Sequence, residues 1–325
     1  MHIFKNPNYD FVRWRWQAIA LSWIVILSGV LYINMHGMPK GVEFEGGTIV
    51  ILGFDQAPHI DQVRSALASG VPDGDNAIVQ SYGGAASNQV MVRLRTAGVE
   101  SGGSLSVTAD EVTAAIRKAN LGNFRIVGTR IVGPTAGADL SRRGTLATVF
   151  ALGGILLYVA FRFQFSFAVG AVVATLHDLL ITMAFLAFFR YELSLNVIAA
   201  ILTITGYSMN DTIVIFDRIR ENMRSMRRDN LAHIVNVSVN QMLDRTLITG
   251  GTTMLSVIAL YIFGGEVLKG FAFTMIVGII TGTYSSVFIA AAIVVIWHGW
   301  RKPKTAPAAI APPSTPARKS RRRAS

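Results

Sequence analysis

Asp178 and Asp211 are the residues that most need a chemical explanation, because each falls inside a long apolar run of this 325-residue chain. An ionisable side chain at the centre of a membrane-spanning helix costs about 2.5–3.5 kcal/mol on insertion scales, and such groups mark ion pathways, proton relays or paired charges. Asp178 directly follows His177 near the middle of its run, and helical spacing puts Thr175 and Thr182 on its side. Asp211 lies in the next run, with Thr203, Tyr207 and Ser208 roughly on its face. Arg245 opens the run after that, at a depth that could match Asp211, and Thr249, Thr252, Thr253 and Ser256 continue from it as one polar stripe. Such a stripe should face protein or water rather than lipid.

A carboxyl facing an arginine and a line of hydroxyls can act as a proton relay. Burial disfavours the charged form of a carboxyl and a neighbouring guanidinium favours it, so a small rearrangement can load or release a proton. The same residues also have plain structural readings. Arg245 can snorkel to the interface, Asp211 can serve as its static partner, and His177–Asp178 can hold helices together. Gly278-x-x-x-Gly282, flanked by Thr274, Thr281 and Ser285, reads as close helix packing rather than a solute path.

The elements that carry these residues follow from composition. The chain is 51% hydrophobic and 15% charged, well short of the roughly 25% charge of a soluble domain. A bilayer core needs roughly 20 mostly apolar residues in a helix. Spans are predicted at 17–35, 144–161, 167–189, 193–216, 247–264 and 271–297, with residues 1–16, 217–246 and 298–325 on the cytoplasmic side. The first run is preceded by Trp14 and Trp16 and followed by no Ala-x-Ala site, so it reads as a retained helix and not a signal peptide. Eighteen Lys and Arg residues flank one side of the spans, while the short loops of the other hold Arg190 and Lys269. Both termini are therefore expected in the cytoplasm.

Residues 36–143 form a water-soluble insertion on the far side, with ten basic and ten acidic residues. The formal charge of +11 thus comes from membrane-flanking residues, and the basic pI points to no specific nucleic acid. Phe44–Phe54, Ala77–Ser81, Gln89–Arg95 and Phe124–Val132 read as strands, the second and third joined by a turn at Tyr82-Gly83-Gly84. His59–Ser69 reads as a helix, and so does Thr108–Leu121, opened by a Thr108-x-x-Glu111 capping box. The order β-α-β-β-α-β is the ferredoxin-like arrangement, with unrelated hairpins and loose helices as the alternative. The fold class is therefore a six-helix membrane protein carrying an α+β exoplasmic domain. The tail from Arg301, rich in Pro, Ala and basic residues, is expected to be disordered, either simply solvated or touching anionic lipid or ribosomal RNA.

Nothing in the insertion resembles a nucleophile elbow, a phosphate loop or a zinc-spaced His pair. The six His are scattered and Cys is absent, so no metal site, disulfide or cofactor is expected, and the chain reads as a non-enzyme.

Several runs together resemble the SecF branch of the SecD/SecF family, within the resistance-nodulation-division superfamily. They are Gly41-Val-Glu-Phe-Glu-Gly-Gly-Thr48, Thr175-Leu-His-Asp178 and the 17-residue run from Gly206 to Asn222. Arg245-Thr-Leu, Thr252-Thr253, Phe263-Gly-Gly265 and Gly278-Ile-Ile-Thr-Gly-Thr-Tyr-Ser-Ser286 extend the likeness. The long run is specific, whereas Gly46-Gly47-Thr48 beside Phe44 alone would not be. Glu43 departs from the family's usual Asp but keeps the charge. The resemblance implies a subunit of the bacterial cytoplasmic membrane that pairs with SecD beside SecYEG, with SecA and YajC nearby. There it would use the proton gradient to promote late steps of export of unfolded pre-protein. Asp211 and Arg245 match the family's proton-transport positions, while His177 and Asp178 are less defined and no peptide-binding residue carries over. Six helices are half of the superfamily's pseudo-symmetric twelve-helix unit, so a partner is implied. Two rivals stay open: a proton-coupled exporter of small solutes, and a translocon scaffold without transport. Carboxylates and hydroxyls serve H⁺ and Na⁺ alike, so the residues leave the coupling ion open between them.

Overall fold

The computed structural model describes residues 7–56, 59–72, 74–82, 88–94, 102–162 and 164–301. Gly83 and Gly84 of the expected turn, Arg95 and the basic tail beyond Arg301 lie outside the described residues.

Helix α1 (Arg15–His36) ends at Gly37, whose φ of 70° suits a residue without Cβ. The chain passes through a short helix, α2 (Val42–Glu45), into strand β1 (Gly47–Phe54). Helix α3 (Ile60–Gly70), strands β2 (Ile78–Tyr82) and β3 (Gln89–Leu94), helix α4 (Gly102–Lys118) and strand β4 (Phe124–Val132) complete the insertion. Long helices follow: α5 (Pro134–Arg162), α6 (Phe165–Phe188), α7 (Leu195–Ser225) and α8 (Leu231–Phe263). The last runs as α9 (Gly265–Ser285), a π-helical turn (Ser286–Ala290) and α10 (Ala291–Arg301). Among the described residues six helices are long and apolar enough to cross a bilayer, the last counted as one continuous rod.

The insertion is a four-stranded antiparallel sheet of order β2-β3-β1-β4, the ferredoxin-like arrangement of two interleaved β-α-β units. Alternation along the strands sends Val50, Leu52, Val79, Val90 and Val92 to one face, where Val63 and Leu67 of α3 and Val112 and Ile116 of α4 close the core. Helix α4 begins at Gly102, so Thr108 and Glu111 lie inside it instead of opening it. A cap imitates the hydrogen bond that a further helical turn supplies directly, so the local signature does not by itself stop the helix.

The bundle helices also outrun their apolar stretches. Helix α5 starts at Pro134, the position that lacks an intrahelical N–H partner in any case. Helices α7 and α8 both extend into 217–246, which is two helix ends around a short turn rather than an open loop. Hydropathy stops where the apolar environment would, but helical hydrogen bonds continue while side chains satisfy the ends. Here Asn230 Oδ1 accepts from His233 N at 2.8 Å, and Asn222 Nδ2 donates to Ser238 and Gln241.

Helices α6, α7 and α9 form the centre, with α1 against α6 and α8 against α7 and α9. Small residues set the approach. A Cβ at Gly29 would strike Ala184, one at Gly278 would strike Ile204, and one at Gly282 would lie 2.8 Å from Ser208 Cβ. Gly278-x-x-x-Gly282 is thus the seam between α9 and α7.

The sheet domain is pinned to the bundle. Gly41 N donates to Leu193 O and Leu193 N to Pro39 O, both at 2.7 Å. Arg93 of β3, 2% exposed, donates to Glu192 Oε1 at 2.7 Å and to the Lys40 carbonyl at 2.5 Å. Gly46 and Gly47 have φ of 73° and 130°, and a Cβ on Gly137 of α5 would come within 3.1 Å of Gly46 N. Both the left-handed backbone and this close crossing suit glycine.

Candidate functional site

Asp178 is the most enclosed carboxylate among the described residues of the bundle, 5% exposed at the meeting of α6, α7 and α9. Its Oδ2 accepts from Ser208 Oγ at 2.5 Å and from Ser285 Oγ at 2.8 Å, and its Oδ1 lies 2.9 Å from His177 Nδ1. The imidazole reaches onward: Nε2 lies 2.8 Å from Ser22 Oγ of α1. Ser22 Oγ is 3.3 Å from Tyr284 Oη, which donates to the Ala18 carbonyl at 2.7 Å. Four helices therefore meet on one hydrogen-bonded chain.

Asp211, half-buried on α7, accepts from Thr246 Oγ1 at 2.8 Å and from Ser286 Oγ at 2.7 Å. The two carboxylates are thus bound by consecutive residues of the last helix. Adjacent residues on a helix point about 100° apart, so neighbouring serines naturally address different helices. Ser286 is also where the helix loosens into its π turn, and such turns occur frequently at functional positions.

Several expectations change at this level. Arg245 is exposed and, among the described residues, forms no ion pair with Asp211; Thr246 occupies that place. Arg245 and Thr246 are consecutive on α8, so one residue of rotation decides which of them meets Asp211. Ser208 serves Asp178 instead of Asp211, Tyr207 packs with the apolar cluster of α8 and α9, and Thr203 is exposed. Thr175 donates to its own helix at Ala171, and Thr182 Oγ1 is buried without a partner among the described residues. The stripe of α8 faces outward: Thr249, Thr252 and Ser256 are exposed, Thr253 is partly so, and each donates to its own helix. Of the Gly41–Thr48 motif, Thr48 is fully buried and Glu43 stands 3.9 Å from Arg130, while Phe44 lies beside Gly144 of α5. These motif residues sit at the junction of sheet and bundle, away from the carboxylates. Ser22, Thr246, Tyr284 and Ser286 were not singled out as site residues from sequence, and the available signal was slight: polar side chains in otherwise apolar runs, one of them a serine pair.

A family model described as protein export membrane protein SecD/SecF, C-terminal, matches residues 111–300, more than half of the chain. The chain belongs to the SecD/SecF protein-export family. It is 39% identical over 285 residues to the protein translocase subunit SecF of Escherichia coli O157:H7, covering 88% of this chain and 86% of that one. To the SecF of Koribacter versatilis it is 36% identical over 384 residues, covering 93% and 94%. The crystal structure of SecDF, a translocon-associated membrane protein from Thermus thermophilus, matches with a TM-score of 0.79 at 32% identity. That match covers 90% of this chain and 39% of the SecDF chain, so this family member spans about two-fifths of that longer molecule. The family match embraces Asp178, Asp211, Arg245 and both serines, while Ser22 and the Gly41–Thr48 motif precede it. Family membership and the six apolar helices make the chain a multi-pass membrane protein of protein transport.

Proposed function

We propose that this chain is the SecF-like subunit of an accessory complex of the Sec translocon, drawing on the proton gradient for late steps of pre-protein export. The observation that carries the reading is Asp211, a half-buried carboxylate inside a bundle of spanning helices, held by hydroxyls from two neighbours. Protonation of Oδ2 removes its charge. The Ser286 hydroxyl then turns to the Thr283 carbonyl, already within 3.0 Å, and the hold of α7 on the π turn loosens.

Arg245 enters through rotation. One residue on a helix corresponds to about 100°, so a twist of α8 exchanges Thr246 for Arg245 opposite Asp211. The exposed stripe of α8 and the almost wholly open apolar stretch of α5 favour a membrane partner of the SecD type beside this chain. The excess of Lys and Arg on one side favours both termini in the cytoplasm and the sheet domain outside. SecYEG, SecA and YajC enter as family neighbours, and translocating unfolded pre-protein as the load. One charge crossing 100 mV is worth about 2.3 kcal/mol, which shifts a two-state ratio roughly 40-fold. H⁺ is the proposed ion because hydroxyl-bound carboxyls can take it up without a coordination shell.

The test is export in cells depleted of the native protein and supplied with wild type or Asp211→Asn. Membrane level and co-purification with SecD are measured in the same cells. Normal assembly with precursor accumulation is expected. Normal assembly with unchanged export would make Asp211 a packing residue, and lost assembly would favour the scaffold reading. Drug or lipid flux dependent on the protein would favour the exporter.

A further inference from the structure

We propose that His177 and Asp178, with Ser22 and Tyr284, form a second proton-binding site, and that Ser285 and Ser286 couple it to Asp211. The inference rests on the reading of Asp211 as a proton-handling group and extends it to a cluster that reading does not use.

Along this chain of contacts each hydrogen has a limited set of acceptors. Tyr284 has one hydroxyl hydrogen and directs it to the Ala18 carbonyl at 2.7 Å. Ser22 also has one, and two acceptors compete for it: His177 Nε2 at 2.8 Å and Tyr284 Oη at 3.3 Å. In one form Ser22 donates to Nε2, so the neutral imidazole carries its hydrogen on Nδ1 and donates to the Asp178 carboxylate at 2.9 Å. In the other form a proton has been added to Nε2. His177 then donates to Ser22, and the Ser22 hydroxyl rotates to Tyr284. The Nδ1 hydrogen either stays on the imidazolium or passes to Asp178 Oδ1. Both forms are fully hydrogen-bonded, and they differ by one proton from solvent and one hydroxyl rotation. A buried polar cluster usually has a single satisfied arrangement, and here there are two.

Coupling follows from the serine pair. Ser285 donates to Asp178 at 2.8 Å or to the Gly282 carbonyl at 3.2 Å, and Ser286 donates to Asp211 at 2.7 Å or to the Thr283 carbonyl at 3.0 Å. Each has a second acceptor one turn back on its own helix, so protonating either carboxylate releases a hydroxyl without stranding it. Because the residues are adjacent at the start of the π turn, a shift of one moves the other. Among the described residues, the other ionisable groups joined to the cluster by hydrogen bonds are Tyr284 of α9 and, through the adjacent serines, Asp211 of α7. Helix α1 contributes Ser22, and its charged residues lie at its ends.

The full chain in phospholipid bilayers would be followed by pH-difference infrared spectroscopy, with ring-labelled histidine to separate imidazole from carboxyl modes. With Asp211→Asn, a titrating signal from Asp178 or His177 should persist, and adding Asp178→Asn together with His177→Gln should remove it. Its midpoint should differ several-fold in proton affinity before and after Asp211→Asn, and the Ser285→Ala, Ser286→Ala double variant should abolish that difference. No titrating signal in Asp211→Asn overturns the proposal. Equal midpoints with both serines present overturn the coupling. Should Asp178→Asn fail to fold, Ser22→Ala, which keeps every acid, must shift the midpoint, and an unmoved midpoint is equally fatal. The export assay keeps the two readings apart. Failed export with a silent cluster leaves Asp211 standing and removes this site, whereas export that survives Asp211→Asn removes the reading beneath it.

Discussion

Gly278→Ala tests how closely α9 and α7 must lie for the serines to reach their carboxylates. A Cβ at Gly278 would overlap Ile204, and one at Gly282 would sit 2.8 Å from Ser208 Cβ and 2.9 Å from its Oγ, the atom that bonds Asp178. Non-bonded carbons rest about 3.5–4.0 Å apart, and Ile204 Cβ at 2.9 Å does not move with its rotamer, so the helices must part by at least roughly half an ångström. Overpacking of this kind costs about 1–3 kcal/mol, against which alanine's better helix propensity returns about 0.8–1.0 kcal/mol. The control is Gly153→Ala on α5, where nothing among the described residues lies within 4 Å of the new atom, so the same propensity gain comes without the clash. Two identical chemical changes should thus differ by about 1–3 kcal/mol, or roughly 5- to 150-fold in the unfolding equilibrium. Unfolding of the purified chain in mixed micelles, titrated with denaturing detergent and followed by circular dichroism, measures that difference. Export by the two variants should rank in the same order. Indistinguishable unfolding curves would refute the claim that the glycines set the helix spacing.

Two other perturbations address the junction between sheet and bundle. Arg93→Met removes charge-assisted bonds to Glu192 and to the Lys40 carbonyl; such a bond is worth about 1.5–3 kcal/mol. Hydrogen exchange at the Gly41 and Leu193 amides should therefore accelerate while the centre of α6 stays protected, and unchanged exchange would deny the latch. Gly47→Ala places a side chain at φ 130°, at a cost of about 1–3 kcal/mol. Loss of protection confined to β1 and its partners β3 and β4 is the expected result, and full protection would contradict it.

The carboxylates were legible because an acid in an apolar run is rare enough to stand out alone. Their partners were not. Ser22, Thr246 and Ser286 look like Thr249 or Thr252, hydroxyls that simply bond their own helix, and residue type cannot separate the two cases. Asp211 bonds Thr246 and not the adjacent Arg245, because spacing along a single helix leaves its rotation about its own axis open. The ferredoxin-like insertion was readable, since period-2 and period-3.6 patterns each carry their own burial direction. The start of α4 was not, because Thr108 could open a helix or continue one with equal ease.

By itself, then, the sequence determined the apolar lengths, the one-sided excess of Lys and Arg, the strand and helix order of the insertion and the presence of two intramembrane acids. Those are properties of composition and local period. Tertiary structure decided that Ser285 and Ser286 divide between Asp178 and Asp211, that His177 reaches α1, and that the stripe of α8 looks outward. Each depends on how one helix is turned against its neighbours. That angle is set by glycine contacts and the π turn, which no single segment encodes.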